Sequence, residues 1–250
     1  MKTLFLSKVW LASLFLCISL TTFSQKKESD SLLTASAVSK AKEVYTNAIG
    51  SDSHLFNGSQ YVPVLIHNYD VGYPYFLSDD WIDSTTIIYS GQRYDNIAAQ
   101  YDIVHEKLII DHPYSHFSIQ LVTENLGGFT LGGHTFVQLK SDSAQHNAPP
   151  TGFYDLLYDG RVKVYARRRK EINTVIEAPL VKTEYLDRTQ FFVYKDGAYF
   201  PVKTKSSVLK VFADRKSALR KYLNKNKFNF QTNREPGLIA AARFYDVSEK

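Results

Sequence analysis

The arrangement of apolar and polar residues changes twice along the chain. Apolar side chains recur at spacings of three and four over residues 31–49, which predicts a helix. From there to about Val202, short apolar and aromatic runs are separated by turn residues, which is typical of strands. Beyond that point a helical apolar stripe returns over Val208–Leu223, and a second short helix is expected over Gly237–Tyr245.

Four dipeptides between the apolar runs predict tight hairpins. They are Ser90-Gly91, Gly132-Gly133, Asp159-Gly160 and Asp196-Gly197. Such residues supply the positive φ angles that two-residue turns require. The expected fold is therefore mainly β: an antiparallel meander of about ten strands forming a sandwich or half-barrel, with an N-terminal helix and one or two C-terminal helices. Because hairpins connect the strands, a doubly wound α/β fold is not expected.

The first 24 residues predict the compartment. Lys2 and Lys8 give a positively charged N-terminal region, Val9–Leu20 is mostly apolar, and small residues follow. This order is typical of a secretory signal peptide over residues 1–24, which is too short for a comfortable membrane span. Cys17 is the only cysteine, and a leucine rather than the small residue of a lipoprotein signal precedes it. We therefore expect an exported, periplasmic or extracellular protein whose mature chain has no lipid anchor, transmembrane span or cysteine.

Charge is distributed unevenly, although the net charge is only +5. Residues 25–160 carry seven Lys and Arg against sixteen Asp and Glu, whereas residues 161–227 carry eighteen against six. The polar segment Ser141–Pro150 lies near the change and is the best candidate for a linker. The sequence thus predicts an N-terminal helix with an acidic β half over 25–148, and a basic β half with C-terminal helices over 149–250. One continuous domain remains the alternative.

The basic half contains the strongest candidate for a binding surface. Strand alternation places four side chains on one face, namely Arg161, Lys163, Tyr165 and Arg167, and the C-terminal helix adds Lys210, Lys216, Arg220 and Lys221. Cations interleaved with an aromatic residue favour an anionic partner: an envelope glycan, an acidic protein or a lipid headgroup. Export argues against nucleic acid. The alternative is that these are solvated faces opposite the acidic half.

Two polar clusters offer other chemistries. Residues of the types that coordinate zinc occur close together at His105, Glu106, Asp111, His112 and His116. Pro113 and the flanking strands place them at a turn and not on one helix face, and a turn of mixed polar residues is the alternative interpretation.

The second cluster, Asp79, Asp80 and Asp83, follows the aromatic residues Tyr73, Tyr75 and Phe76. Paired carboxylates beside aromatic residues are what a glycoside hydrolase needs. Adjacent strand residues point to opposite faces, however, so Asp79 and Asp80 do not readily face one substrate. A turn rich in Asp and Ser explains the segment equally well.

The chain as a whole resembles exported proteins of unknown function from Bacteroidota-type bacteria. The residues that carry this resemblance are Phe23-Ser24-Gln25, Leu55–Gly58, Tyr94–Ile97, Tyr101–Val104, Phe153–Gly160 and the basic Val208–Leu223 helix. The resemblance implies export and a single architectural unit, and it assigns no activity and no site residue.

Together these observations favour an exported, non-catalytic protein that binds or supports the cell envelope. We assign no catalytic residue, metal ligand or cofactor. A carrier of lipid or another apolar ligand, with Tyr and Phe lining a curled sheet, is the first alternative, and it predicts an apolar cavity. A glycan-active hydrolase that uses the acidic cluster or the histidine turn is the second.

Overall fold

A computed structural model describes residues 34, 36–41, 44, 54–112, 117–141 and 147–247. The chain divides into two units, residues 1–50 and 51–250. In the first unit the described residues are helical and exposed, within the helix predicted over 31–49. The predicted signal peptide lies outside the described residues.

The second unit is built mainly of antiparallel strands, which confirms the predicted fold class. Its described residues form thirteen strands: β1 (Ser59–Tyr61), β2 (Ile82–Tyr89), β3 (Gln92–Asp102), β4 (Lys107–Asp111), β5 (Ser118–Gln120), β6 (Leu126–Leu131), β7 (His134–Leu139), β8 (Gly152–Asp159), β9 (Lys163–Arg167), β10 (Lys170–Glu177), β11 (Leu180–Asp187), β12 (Gln190–Lys195) and β13 (Ala198–Val202). The four predicted hairpins are confirmed as β2–β3, β6–β7, β8–β9 and β12–β13. The two-residue turn predicted at Asp159-Gly160 is wrong, because Asp159 pairs with Lys163 across a three-residue turn in which Gly160 does not have a positive φ.

Eleven of these strands form one sheet in the order β1-β5-β4-β3-β2-β6-β7-β8-β9-β12-β13, and β10 and β11 form a separate hairpin. The segment between β7 and β8 contains the predicted linker, of which residues 141 and 147–150 are described. Because β7 and β8 are hydrogen-bonded neighbours, the sheet runs across this segment and both predicted halves contribute to it.

The large sheet curls strongly, as in the predicted half-barrel. Five strand spacings separate β3 from β9, which would be about 24 Å in a flat sheet. Yet the N–H of Lys170, the first residue of β10 and three residues after β9, donates a hydrogen bond to the carbonyl of Ile103, just beyond β3, at 3.1 Å. Nearby, Arg167 of β9 contacts Glu106 of the β3–β4 turn. The ends of β3 and β9 therefore meet across the concave side of the sheet.

Two large apolar clusters hold this unit together. The first lies among β2 to β8, where Tyr101, Phe129 and Phe136 pack with ring centroids 4.6–5.2 Å apart. The second lies between three helices and the last strands of the sheet, where Val164 and Val193 are buried. Aromatic side chains pack against one another in the first cluster, so the interior that the carrier hypothesis assigns to a ligand is occupied here by protein.

The helices of the second cluster are α1 (Lys205–Val211), α2 (Lys216–Lys225) and α3 (Glu235–Val247). The continuous stripe predicted over Val208–Leu223 is divided between α1 and α2, because Phe212 leaves helical geometry with φ −101° and ψ 48°. Its ring is buried and lies 4.8 Å from that of Tyr245 on α3. Among the described residues, no helix is both long enough and apolar enough to cross a bilayer.

Candidate anion-binding surface

Helices α1 and α2 carry the helical part of the predicted basic surface. Thr204 caps α1: its hydroxyl accepts a hydrogen bond from the Ser207 N–H at 3.2 Å, and the Ser207 hydroxyl accepts one from the Thr204 N–H at 3.0 Å. The apolar stripe of the two helices is buried, at Val208, Leu209, Leu219 and Leu223. Because this stripe faces the core, the cationic positions between its members face outward.

Between α1 and α2 lies a surface hollow of about 310 Å³, which we call the cationic hollow. Its lining residues are Lys205, Ser206, Leu209, Lys210, Lys216, Arg220 and Asn224. Four of these seven are cationic and none is acidic. Three of the four, Lys210, Lys216 and Arg220, are residues that the sequence predicts for the anion site, and the structure brings them together.

The cations of this hollow are not neutralised by the protein. Lys210, Lys216 and Arg220 are exposed and form no ion pair with any described residue. Lys205 donates from Nζ to Asn224 Oδ1 at 2.6 Å, a neutral partner that leaves its charge in place. Lys221 is exposed on α2 outside the hollow and is likewise unpaired in the described part of the chain. A concave surface with charges of one sign concentrates positive potential and attracts anions.

A second hollow of about 630 Å³ adjoins the first, and we call it the amide hollow. It shares Lys205, Ser206 and Asn224 with the cationic hollow, so the two hollows lie on either side of these residues. Its remaining lining residues are Thr204, Leu223, Lys227, Phe228, Asn229, Phe230 and Gln231. This hollow also contains no acidic residue, and three of its side chains end in amides. Sequence reasoning did not identify it, because its amides are divided between the end of α2 and the following loop and form no recognisable motif.

The strand part of the predicted surface differs from the helical part, because acidic neighbours accompany its cations. Lys163 Nζ lies 2.5 Å from Asp159 Oδ1. Arg161 Nε lies 3.8 Å from Asp246 Oδ1, and its backbone N–H donates to the same carboxylate at 3.0 Å. Such local pairing lowers the positive potential that these two residues offer to a ligand.

Tyr165 and Arg167, the other two predicted strand residues, are buried. Tyr165 packs with Tyr154 and Phe192, and burial raises the pKa of its phenol to about 12. Arg167 donates from Nε and Nη2 to the two carboxylate oxygens of Glu106, both at 2.8 Å. Their contacts give both residues a packing role in the fold, and ligand binding by them stays a prediction.

In the described part of the chain, the residues of the predicted histidine turn contact side chains that belong to the fold. His105 contacts Asp102, Glu106 pairs with Arg167, and the His112 ring lies 5.1 Å from that of Phe56. His116 lies outside the described residues. Among the residues that are described, no three His, Cys, Asp or Glu side chains form a group that could hold a metal ion.

The acidic cluster and its aromatic neighbours lie in different environments. Asp79, Asp80 and Asp83 are exposed. Tyr75 and Phe76 are buried in the apolar clusters of the sheet. The aromatic side chains that a glycoside hydrolase would place around a sugar thus contribute here to the core.

Sequence reasoning did not find the histidine–aspartate pairs of the structure, of which two are shorter than the pair His67–Asp70 at 3.3 Å. The Nδ1 atom of His105 lies 2.7 Å from Asp102 Oδ2, and that of His134 lies 2.8 Å from Asp155 Oδ2. Such pairs can orient a general base. Within the described ranges, however, neither imidazole is hydrogen-bonded to a hydroxyl that could act as a nucleophile.

Both aspartates also bind structural partners. Asp102 is fully buried and accepts hydrogen bonds from the Tyr61 hydroxyl at 2.9 Å and from the backbone N–H groups of Val104 and His105. Asp155 pairs with the buried Arg168, which also contacts Glu235 at the start of α3. These networks fix the β3–β4 turn and attach α3 to the sheet.

Comparison of the chain with protein-family models, with curated proteins and with solved structures finds no match. The resemblance to exported proteins of Bacteroidota-type bacteria therefore stays a prediction.

Proposed function

We propose that this protein is an exported, non-catalytic cell-envelope protein that binds an anionic partner through the basic surface of α1 and α2. The observation that carries this proposal is the cationic hollow, where Lys205, Lys210, Lys216 and Arg220 meet without an acidic neighbour in the lining. Lys163, by contrast, has the carboxylate of Asp159 beside it. Four cations in one concavity without such partners are expected to bind an anion more strongly than a solvated helix face does.

The two faces of these helices have separate roles. The buried stripe of α1 and α2 attaches them to the sheet, so the fold does not depend on the exposed cations. Surface charges of this kind contribute little to stability. Their arrangement is therefore available for binding, and replacing them should leave the fold intact.

Export and an envelope location are the second part of the proposal. They are supported by the signal-like order of charged, apolar and small residues over 1–24. An anionic partner in that compartment is an envelope glycan, an acidic protein or a lipid headgroup.

The proposal is tested by co-sedimentation of the purified protein with the envelope fraction of the source cell. The double variant Lys216→Ser/Arg220→Ser should weaken association by about tenfold or more, because each cation lost removes a charge-assisted contact. A matched control, Arg93→Ser/Lys182→Ser, changes the net charge equally but removes cations already paired with Asp95 and Glu184. Equal loss in both variants, or in neither, would contradict the proposal.

A further inference from the structure

We propose that the anionic partner is an acidic glycan, meaning a saccharide that carries carboxylate or phosphate groups. This inference rests on the proposed function and names the ligand class of the same surface. It is motivated by the amide hollow, which adjoins the cationic hollow at Lys205, Ser206 and Asn224. A ligand that fills both would place its anionic group among the cations and an uncharged polar part among the amides.

The amide hollow offers groups that match sugar hydroxyls. Side-chain amides provide both donors and acceptors, and hydroxyl side chains do the same. Asn224, Asn229 and Gln231 supply three amides, and Thr204 and Ser206 supply two hydroxyls. A saccharide ring presents several hydroxyl groups in a small volume, and this set can bond to them without adding charge.

Two of the amides are held in place by the protein. Asn224 Oδ1 accepts from Lys205 Nζ at 2.6 Å. Asn229 Oδ1 accepts from the backbone N–H groups of Gln231 at 2.8 Å and Thr232 at 3.2 Å. In both residues the oxygen is engaged, which leaves the NH₂ group as the donor to a ligand oxygen. Donors fixed before binding reduce the entropy lost on association.

The same arrangement suits the other anionic partners less well. An acidic peptide needs cations but has few hydroxyl groups to occupy the amide hollow. A lipid headgroup at a membrane surface would place acyl chains beside the cations, where apolar side chains would be favourable. Here Leu209, Leu223 and Phe230 are buried and Phe228 is half-buried, while the three amides and all the cations except the half-buried Lys205 are exposed.

The inference is tested by measuring affinities of the purified protein for four probes. Oligogalacturonate is an acidic glycan, its methyl ester is the neutral equivalent, poly-L-glutamate carries carboxylates without sugar, and phosphatidylglycerol vesicles present lipid phosphate. We expect oligogalacturonate to bind at least about tenfold more tightly than poly-L-glutamate of equal charge, because only the glycan also bonds to the amides. The methyl ester and the vesicles should bind more weakly than oligogalacturonate.

Variants separate the two hollows. Gln231→Ala, at a residue that lines the amide hollow and not the cationic hollow, should reduce the preference for oligogalacturonate and leave poly-L-glutamate affinity unchanged. Lys216→Ser/Arg220→Ser should weaken binding of both probes. Asn226→Ala is the matched control, since this exposed amide follows the same helix but lines neither hollow.

Each contrary result has a distinct meaning. Equal affinity for oligogalacturonate and poly-L-glutamate, with no effect of the amide variant, would overturn the glycan inference while anion binding stands. Tighter binding to the vesicles would overturn it in favour of lipid phosphate. Absence of binding to every probe would contradict the proposed function as well.

Discussion

The ion pair between Arg167 and Glu106 should be a major determinant of the curled sheet. It joins β9 to the β3–β4 turn, and its side chains are 9% and 22% exposed. Glu106→Gln would leave a buried guanidinium without its carboxylate. Because breaking a buried pair in this way typically costs 3–5 kcal/mol, and Gln can still accept one hydrogen bond, we expect a loss of about 3 kcal/mol in the free energy of unfolding.

The reverse replacement should cost less. Arg167→Met leaves Glu106, which is partly exposed and can be solvated, so the expected loss is about 2 kcal/mol. The double variant removes both charges and should be less destabilised than the sum of the single variants by about 2 kcal/mol, since the two residues contact each other directly.

Urea denaturation followed by circular dichroism measures these differences. Arg93→Gln is the control, because its ion pair with Asp95 is exposed and should contribute less than about 1 kcal/mol. A loss in Glu106→Gln no larger than that of the control, or strict additivity in the double variant, would refute the argument that this pair fixes the curl.

Three further predictions concern stability. Asp155→Asn should cost about 3 kcal/mol in urea denaturation, because Arg168 then keeps only Glu235 as an ionic partner and His134 loses its carboxylate; a loss below about 1 kcal/mol would contradict this. Burial raises the pKa of Tyr165 from 10.0 to about 12, so its contribution to stability is complete below pH 10 and is lost as the pH rises towards 12. Tyr165→Phe should therefore flatten the fall in stability over that range, and an unchanged pH dependence would be contrary evidence. Gly237→Ala should lower Tm despite the higher helix propensity of alanine, because a Cβ there would lie 2.6 Å from the Phe230 ring and overpacking costs about 1–3 kcal/mol; an unchanged or higher Tm would show that the ring can move.

The hairpins marked by a short turn motif could be predicted from the sequence, because the signal and the element involve the same few residues. Three of the four predicted hairpins have turns that require positive φ, as at Gly91, Gly133 and Gly197, and glycine marks such turns in the sequence. The β8–β9 hairpin was predicted from Gly160 as well, although Gly160 does not have a positive φ. The β10–β11 hairpin was missed, since its turn contains Ala178-Pro179 and its strands lack a regular buried face. Ile176, for example, is 77% exposed. The separate hairpin is the reason that the structure has more strands than predicted.

Long-range contacts explain what the sequence did not indicate at the candidate site. Strand alternation placed Arg167 on an outward face, but Glu106, 61 residues away, forms an ion pair with it as the sheet curls. The helical cations were easier to predict, because an amphipathic helix places its charges by spacing alone. Their convergence with Lys205 into one hollow depends on the break at Phe212, which no local pattern indicated.

The most direct test of the central claim is amide hydrogen exchange of the protein alone and bound to envelope vesicles of the source cell. The proposed binding surface predicts slower exchange on binding over residues 204–231, with little change in β1 to β8, and loss of this protection at high salt, where charges are screened within about 3 Å. Protection confined to other parts of the chain, or protection over 204–231 that high salt leaves intact, would contradict an anion-binding role for α1 and α2.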